Sequence, residues 1–193
     1  LIDSLARLAE ESPSPPVVLA SSHPTIFMAG ADLAEIAALD EHSCVPYSDL
    51  GRSLAAALAS HTGPVVASVH GSCSGGGFDL VMACDAVVAS PNATFSHPGV
   101  RRGLVTGWGG TTGLEAAMGP STTRRALLEG ATIDAPTLAG LGVAIEVTDD
   151  PRTRARETAR RIGRLHPSRL SLWRLLRGPT FVDRFRAFVV EKS

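Results

Sequence analysis

"PVVASVHGSCSGGGFDLVMACD", residues 64–85, sets an apolar run against a cluster of glycines and then against a second apolar run that ends in an acid. Val65 to Val69 has the β-branched composition of a buried strand, and Phe78 to Ala83 reads as a buried helix. Gly71, Gly75, Gly76 and Gly77 lie between them, and Ala86-Val87-Val88 returns to strand. The order is strand, glycine loop, helix, strand.

The same alternation extends in both directions. Upstream, Leu1, Leu5 and Leu8 place residues 1–11 at the end of an amphipathic helix, Ser12 to Pro16 break it, and Val17 to Ala20 make a short buried strand. "HPTIFMAGADLAEI", residues 23–36, leads from a loop into a helix with Asp32 and Glu35 near its start, where carboxylates complement the dipole. Residues 46–60 read as a helix ended by Gly63-Pro64. Downstream, helical segments are expected near 108–118 and 121–129, with Asp134 as an N-cap, Pro136 in the following first turn and a last strand over 144–147. From Pro151 the chain reads as helical, broken at His166-Pro167 and Gly178-Pro179. Strands alternating with helices predict an α/β architecture.

Composition narrows the class. With 193 residues and 44% hydrophobic content the chain can bury one sizeable core, which excludes a disordered or fibrous protein. It has no apolar run of membrane-spanning length and no signal-peptide pattern, so a cytoplasmic protein without a membrane partner is expected. A chain that opens inside a helical pattern without Met is expected to lack a preceding segment. Cys44, Cys73 and Cys84 are odd in number, without CxxC spacing, so neither a disulfide framework nor a zinc or other metal site is expected. The net charge of −1 hides an asymmetry: residues 1–150 carry 6 basic and 16 acidic side chains, residues 151–193 carry 12 and 3. All the bases but one are Arg, which suits either phosphate groups or a solvated helix face.

The glycine stretch admits several chemistries. A P-loop needs Lys and then Ser or Thr after its last glycine, whereas Phe78 follows Gly77. A dinucleotide fingerprint needs GxGxxG spacing, which neither this stretch nor "GWGGTTG" has. "GSCSG" fits a nucleophile elbow with Cys73 at the turn and His97 or His166 downstream, although the helix starts several residues beyond the cysteine. The remaining reading is an oxyanion site, in which backbone N–H groups at a helix N-terminus hold a carbonyl oxygen that gains negative charge. A second donor is then needed, and "FMAGADL", residues 27–33, offers a glycine loop that also opens a helix.

At this pair of segments the chain resembles the crotonase superfamily, the enoyl-CoA hydratase/isomerase family. The resemblance is carried by "FMAGADL", "PVVASVHGSCSGGGFDLVMACD", "ATFSHPGVRRGLVTGWGGT" and "LLEGATIDAPTLAGLGVAIEV", in the family's order over most of residues 15–147. It implies a spiral of ββα repeats over residues 1–150, with its N-terminal part missing, and a helical C-terminal region over 151–193 used for assembly as a homotrimer or dimer of trimers and for closing the CoA site. It also implies an acyl-CoA thioester substrate and no separate cofactor; a nucleic-acid partner is not expected, because the basic tail lacks the interleaved aromatics of a single-strand platform. By the same resemblance Ala31 and Gly76 supply the two N–H donors, and Ala29, Gly30, Ala31, Asp32 and Leu33, with Gly75, line the CoA and thioester site. The two glutamates of the family's hydratases fall on Asp79 and Gly99. Gly99 has no side chain to act as acid or base, so a two-acid hydratase is not expected. Asp79 keeps a carboxylate, as dienoyl-CoA isomerases of the superfamily do at this position; an Asp in a first helical turn also serves the dipole.

His97 is an auxiliary acid candidate or a turn residue before Pro98, and Trp108 lines the acyl pocket or belongs to the core. Asp85 is read as structural. An acyl-CoA enzyme with Asp79 as its single base, isomerase or weak hydratase, stands against a non-catalytic acyl-CoA-binding protein and a cysteine hydrolase using Cys73.

Overall fold

A computed structural model of the chain describes residues 1–11, 13–143, 146–165 and 167–176, with Leu175 and Leu176 described by backbone only. After helix α1 (Ile2–Ala9), the first unit is β1 (Val17–Ala20), β2 (Ile26–Met28) and the short helix α2 (Leu33–Ala37), with α3 (Cys44–Ser60) leading to the next. The second unit is β3 (Val65–Val69), β4 (Ser72–Ser74) and α4 (Gly76–Ala83). The third is β5 (Ala86–Ala89) and β6 (Thr94–Ser96), a 3-10 turn (Pro98–Arg102) and α5 (Gly110–Leu128). The chain continues through β7 (Ile133–Asp134), α6 (Ala135–Gly140), β8 (Glu146–Val147), α7 (Pro151–Gly163) and α8 (Pro167–Leu176).

The first strand of each unit joins one sheet, in the order β1-β3-β5-β8, and the second strand joins another, β2-β4-β6-β7. Both sheets are parallel except for the β6–β7 pair. This is the ββα spiral that the resemblance implies. All five residues of β3 are buried, as a central parallel strand covered on both faces requires. β1 lies at the sheet edge, and only Leu19 of its four residues is fully buried, so it is less enclosed than its composition suggests.

The main core joins α4 to both sheets through Phe78, Leu80, Val65, Val69 and Phe95, with the Phe78 and Phe95 rings 5.3 Å apart. α7 covers the outer face of the first sheet by packing Ala155 and Ala159 on Val66, Ala86 and Val88. Its arginines therefore point elsewhere: Arg152, Arg156, Arg160 and Arg161 are exposed, as a solvated helix face and a phosphate-binding one both require.

Asp134 caps its helix as expected, and Asp150, not singled out in the sequence, caps another. Asp134 accepts from the Thr137 amide at 2.8 Å, Asp150 accepts from the Thr153 amide at 3.1 Å, and Pro151 opens α7. The helices expected near 108–118 and 121–129 are one element broken at Gly119-Pro120, where Gly119 leaves helical geometry. Two strands arise inside stretches read as loops, β2 within "HPTIFMAG" and β4 within the glycine stretch. Each has three residues, too few for a period-2 pattern to stand out. Ser12, 144–145, His166 and the Gly178-Pro179 break lie outside the described residues. Among the described residues no helix is long and apolar enough to cross a membrane.

Candidate active site

Two glycine loops meet at the N-terminus of α4. Gly75 precedes the helix with φ +57°, open to glycine at little cost, and its amide donates to Ser96 O at 2.9 Å, which fixes where α4 begins. Gly30, at φ +87°, lies against this corner so closely that a methyl group on it would stand 2.9 Å from the Gly76 nitrogen and 2.9 Å from Ser74 O. The Ser74 hydroxyl donates to Ala29 O at 3.2 Å and ties the loops together. Ala31 follows Gly30 and Gly76 follows Gly75, so the two expected donors belong to adjoining loops. Among the described residues neither of their amides has a hydrogen-bond acceptor. Asp32 caps α2, its Oδ1 accepting from the Ala34 amide at 2.7 Å; Ala29 and Leu33 are exposed beside it.

Asp79 occupies the first turn of α4, one turn beyond Gly76, with its side chain 1% exposed. β6 brings it a partner. Ser74 and Ser96 are opposite each other in the β4–β6 ladder, so the residue after Ser96 emerges beside the start of α4. That residue is His97, whose Nε2 lies 2.9 Å from Asp79 Oδ1 and whose ring stacks on Phe78 at 5.7 Å. The contact is close but out of line for a hydrogen bond, and neither atom has an aligned partner among the described residues. The other oxygen, Oδ2, accepts from the Thr106 hydroxyl. Gly110 leaves the carboxylate its space, since a methyl group there would stand 2.1 Å from Oδ1. Gly99 sits in the 3-10 turn, where a side chain would start against Leu104.

Trp108 crosses the junction. A methyl group on Gly76 would be 2.1 Å from its Cε3 and one on Gly51 of α3 2.0 Å from its Nε1, so both glycines are needed for the indole to lie between α3 and α4. It is half-buried against the core and also lines a cavity of about 800 Å³. The cavity reaches from Asp79 and Trp108 along α3 and α5 to α8.

The cysteine reading is overturned here. Cys73 is fully buried on β4, and burial, then Cys84 and Asp79, push its thiol far above the ordinary range, so the thiolate needed for attack does not form. His97 is paired with Asp79 instead, and His166 lies outside the described residues. Iodoacetamide at neutral pH is expected to modify the exposed Cys44 in the folded protein and to leave Cys73 and Cys84 unmodified, as peptide mass mapping will read. Labelling of Cys73 at a rate near that of Cys44 would restore the elbow.

Sequence reasoning missed Thr106, Gly110 and Gly51, which hold or make room for Asp79 and Trp108. The signal available for two of them was the small-residue run "TGWGG" around a lone tryptophan. Among the described arginines, Arg152 donates to Ser21 O at 2.6 Å, Arg154 pairs with Glu146 and Glu157, and Arg174 pairs with Asp85, so these three are committed within the chain.

The model of the enoyl-CoA hydratase/isomerase family matches residues 1–171. A probable enoyl-CoA hydratase of Mycobacterium leprae is 31% identical over 172 residues, covering 86% of this chain and 65% of its own length. A crotonyl-CoA hydratase of Syntrophomonas wolfei is 31% identical over 131 residues, covering 68% of this chain and 50% of its own. Among solved structures, an enoyl-CoA hydratase from Bacillus anthracis superposes with a TM-score of 0.86 at 25% identity, over 98% of this chain and 75% of that one. The chain thus spans about two thirds or less of the length of the curated relatives named here. The family's strand–glycine–helix motif, the ββα spiral and the match over most of the sequence agree: the chain belongs to the enoyl-CoA hydratase/isomerase family.

Proposed function

We propose that this chain carries the catalytic core of an acyl-CoA enzyme that stabilises a thioester enolate, working as an isomerase or a weak hydratase with Asp79 as its one carboxylate base. The observation that carries this reading is the buried Asp79 carboxylate, one turn along α4 from a Gly76 amide with no acceptor among the described residues, with Oδ1 lacking an aligned partner and the residue bordering the cavity. The thioester carbonyl accepts hydrogen bonds from the Ala31 and Gly76 amides, and the adenine end of CoA lies along Ala29 to Leu33. Asp79 removes a proton from the acyl chain. The C–H electron pair becomes the enolate double bond, and the carbonyl π pair moves to the thioester oxygen, where the two amides and the α4 dipole stabilise it. Return of the proton from Asp79 to another carbon shifts the double bond, with no net loss of atoms or charge. Thr106 holds the oxygen not used in this transfer, and His97 stands against the other as the nearby group able to share its proton.

Gly99 favours a second reading, a binding protein that retains the CoA cradle without turnover, because it leaves no side chain for the second acid of hydration. Incubation with acyl-CoA thioesters in D₂O separates the two. Incorporation of deuterium at the α-carbon, followed by mass spectrometry, is the expected result. Tight thioester binding with no incorporation would favour the binding protein.

A further inference from the structure

We propose that the cavity beside Asp79 is shaped for a long apolar acyl chain, of about ten carbons or more, and that Gly113 of α5 sets its capacity. The proposal rests on the acyl-CoA reading above and names the substrate class of that same site. The cavity holds about 800 Å³, toward the upper end of the range of about 300–1,000 Å³ typical of pockets that enclose whole drug-sized ligands. A four-carbon acyl group would leave most of it empty.

Its walls are mostly apolar, with Arg52, Thr112 and Arg169 also reaching the lining, and the residues are small where two helices face it. α3 contributes Ala55, Ala56 and Ala59, and α5 contributes Gly113, Ala116 and Ala117. Both sets recur at helical spacing, one face of each helix, so the space follows from small side chains along its length rather than from one gap. Leu170 and Trp173 of α8 also line it. Among the residues bordering it is Asp79, nine-tenths buried, its Oδ1 without an aligned partner among the described residues. That group ties the apolar space to the reacting end of a substrate: an acyl chain whose α- and β-carbons stand at Asp79 has its remaining carbons between α3 and α5.

Gly113 is the position that admits or refuses this chain. It lies inside α5, and a methyl group on it would have nothing within 4 Å. A larger side chain there projects into open space without displacing backbone, and replacing an interior helical glycine favours the helix. Ala116, one turn along and also exposed to the cavity, offers the same narrowing.

The test is isothermal titration of the whole chain with butyryl-CoA and dodecanoyl-CoA, below the micelle concentration of the latter. Dodecanoyl-CoA is expected to bind at least about 100-fold more tightly, the gain following from burial of the extra methylenes. Gly113→Leu, and Ala116→Leu as a second variant should the first fail to fold, is expected to reduce that ratio to about tenfold or less. Equal binding of the two thioesters would overturn the proposal and leave the acyl-CoA reading standing; that is the result if the chain's own residues 177–193 or a second copy fill the space. A ratio unchanged in both folded variants would also overturn it. Failure of both thioesters to bind would instead remove the acyl-CoA reading on which the proposal rests.

Discussion

Asp79→Asn is expected to lower α-carbon deuterium exchange by about 10²–10⁴-fold, the range over which a positioned base contributes, while the affinity for the thioester changes by no more than about threefold. The substitution is close to isosteric. The asparagine side-chain oxygen can still accept from the Thr106 hydroxyl, and Gly110 still leaves room for the group, so the local packing survives. What is lost is the capacity to take a proton. The Ala31 and Gly76 amides belong to the backbone and are untouched, so the enzyme keeps its hold on the carbonyl oxygen and loses the transfer. A fall in exchange without a fall in binding is therefore the signature of a base. Exchange that persists within about tenfold would place the base elsewhere and leave Asp79 as a carboxylate serving the α4 dipole, and a parallel collapse of binding would make it a structural residue. Rates are read by mass spectrometry in D₂O and affinities by titration with the same thioester.

The parts of this site that were legible in the sequence are those set by short-range rules. A buried strand, glycines and a buried helix in immediate succession gave the position of α4, while the choice of Gly76 and Asp79 on it came from the resemblance. The loop at residues 27–33 was legible for the same reason. Contacts made across the chain were not. Thr106 meets Asp79 from 27 residues away, and nothing in the composition of "LVTGWGG" says which hydroxyl turns toward which carboxylate. His97 was visible as a candidate, but its approach to Asp79 depends on the register that sets Ser74 opposite Ser96, which only the assembled sheet fixes. The cavity is less legible still, because alanines and glycines on α3 and α5 read as ordinary helix residues until the two helices are seen to face each other. Asp85 was read as structural without a reason, and its reason lies 89 residues away at Arg174.

Arg174→Ala is expected to cost about 3–5 kcal/mol of folding stability, the range seen when one partner of a buried ion pair is removed. Asp85 lies at the end of α4 with its side chain 2% exposed, and Arg174 meets it with two nitrogens, Nε on Oδ1 at 2.7 Å and Nη2 on Oδ2 at 2.6 Å. The guanidinium also donates to the carbonyls of His61 and Gly63, and the neighbouring Trp173 indole donates to Asp85 O at 3.1 Å. One residue of α8 thus satisfies a buried carboxylate and two backbone acceptors at the turn before β3. Without it the carboxylate keeps the Val65 amide at 2.8 Å as its remaining aligned partner among the described residues, too little for a charge out of water. For a chain of this size the loss corresponds to a fall in melting temperature on the order of 10 °C, read by thermal or denaturant unfolding. Adding Asp85→Asn to Arg174→Ala is expected to recover part of the loss, because most of the penalty is the stranded charge rather than the missing attraction. A loss under about 1 kcal/mol, the range of an exposed pair, would mean that α8 is held by its apolar side chains alone. The measurement also bears on the acyl cavity: Leu170 and Trp173 line that space from the helix that Arg174 fastens, so the pair that stabilises the fold also fixes one wall of the site.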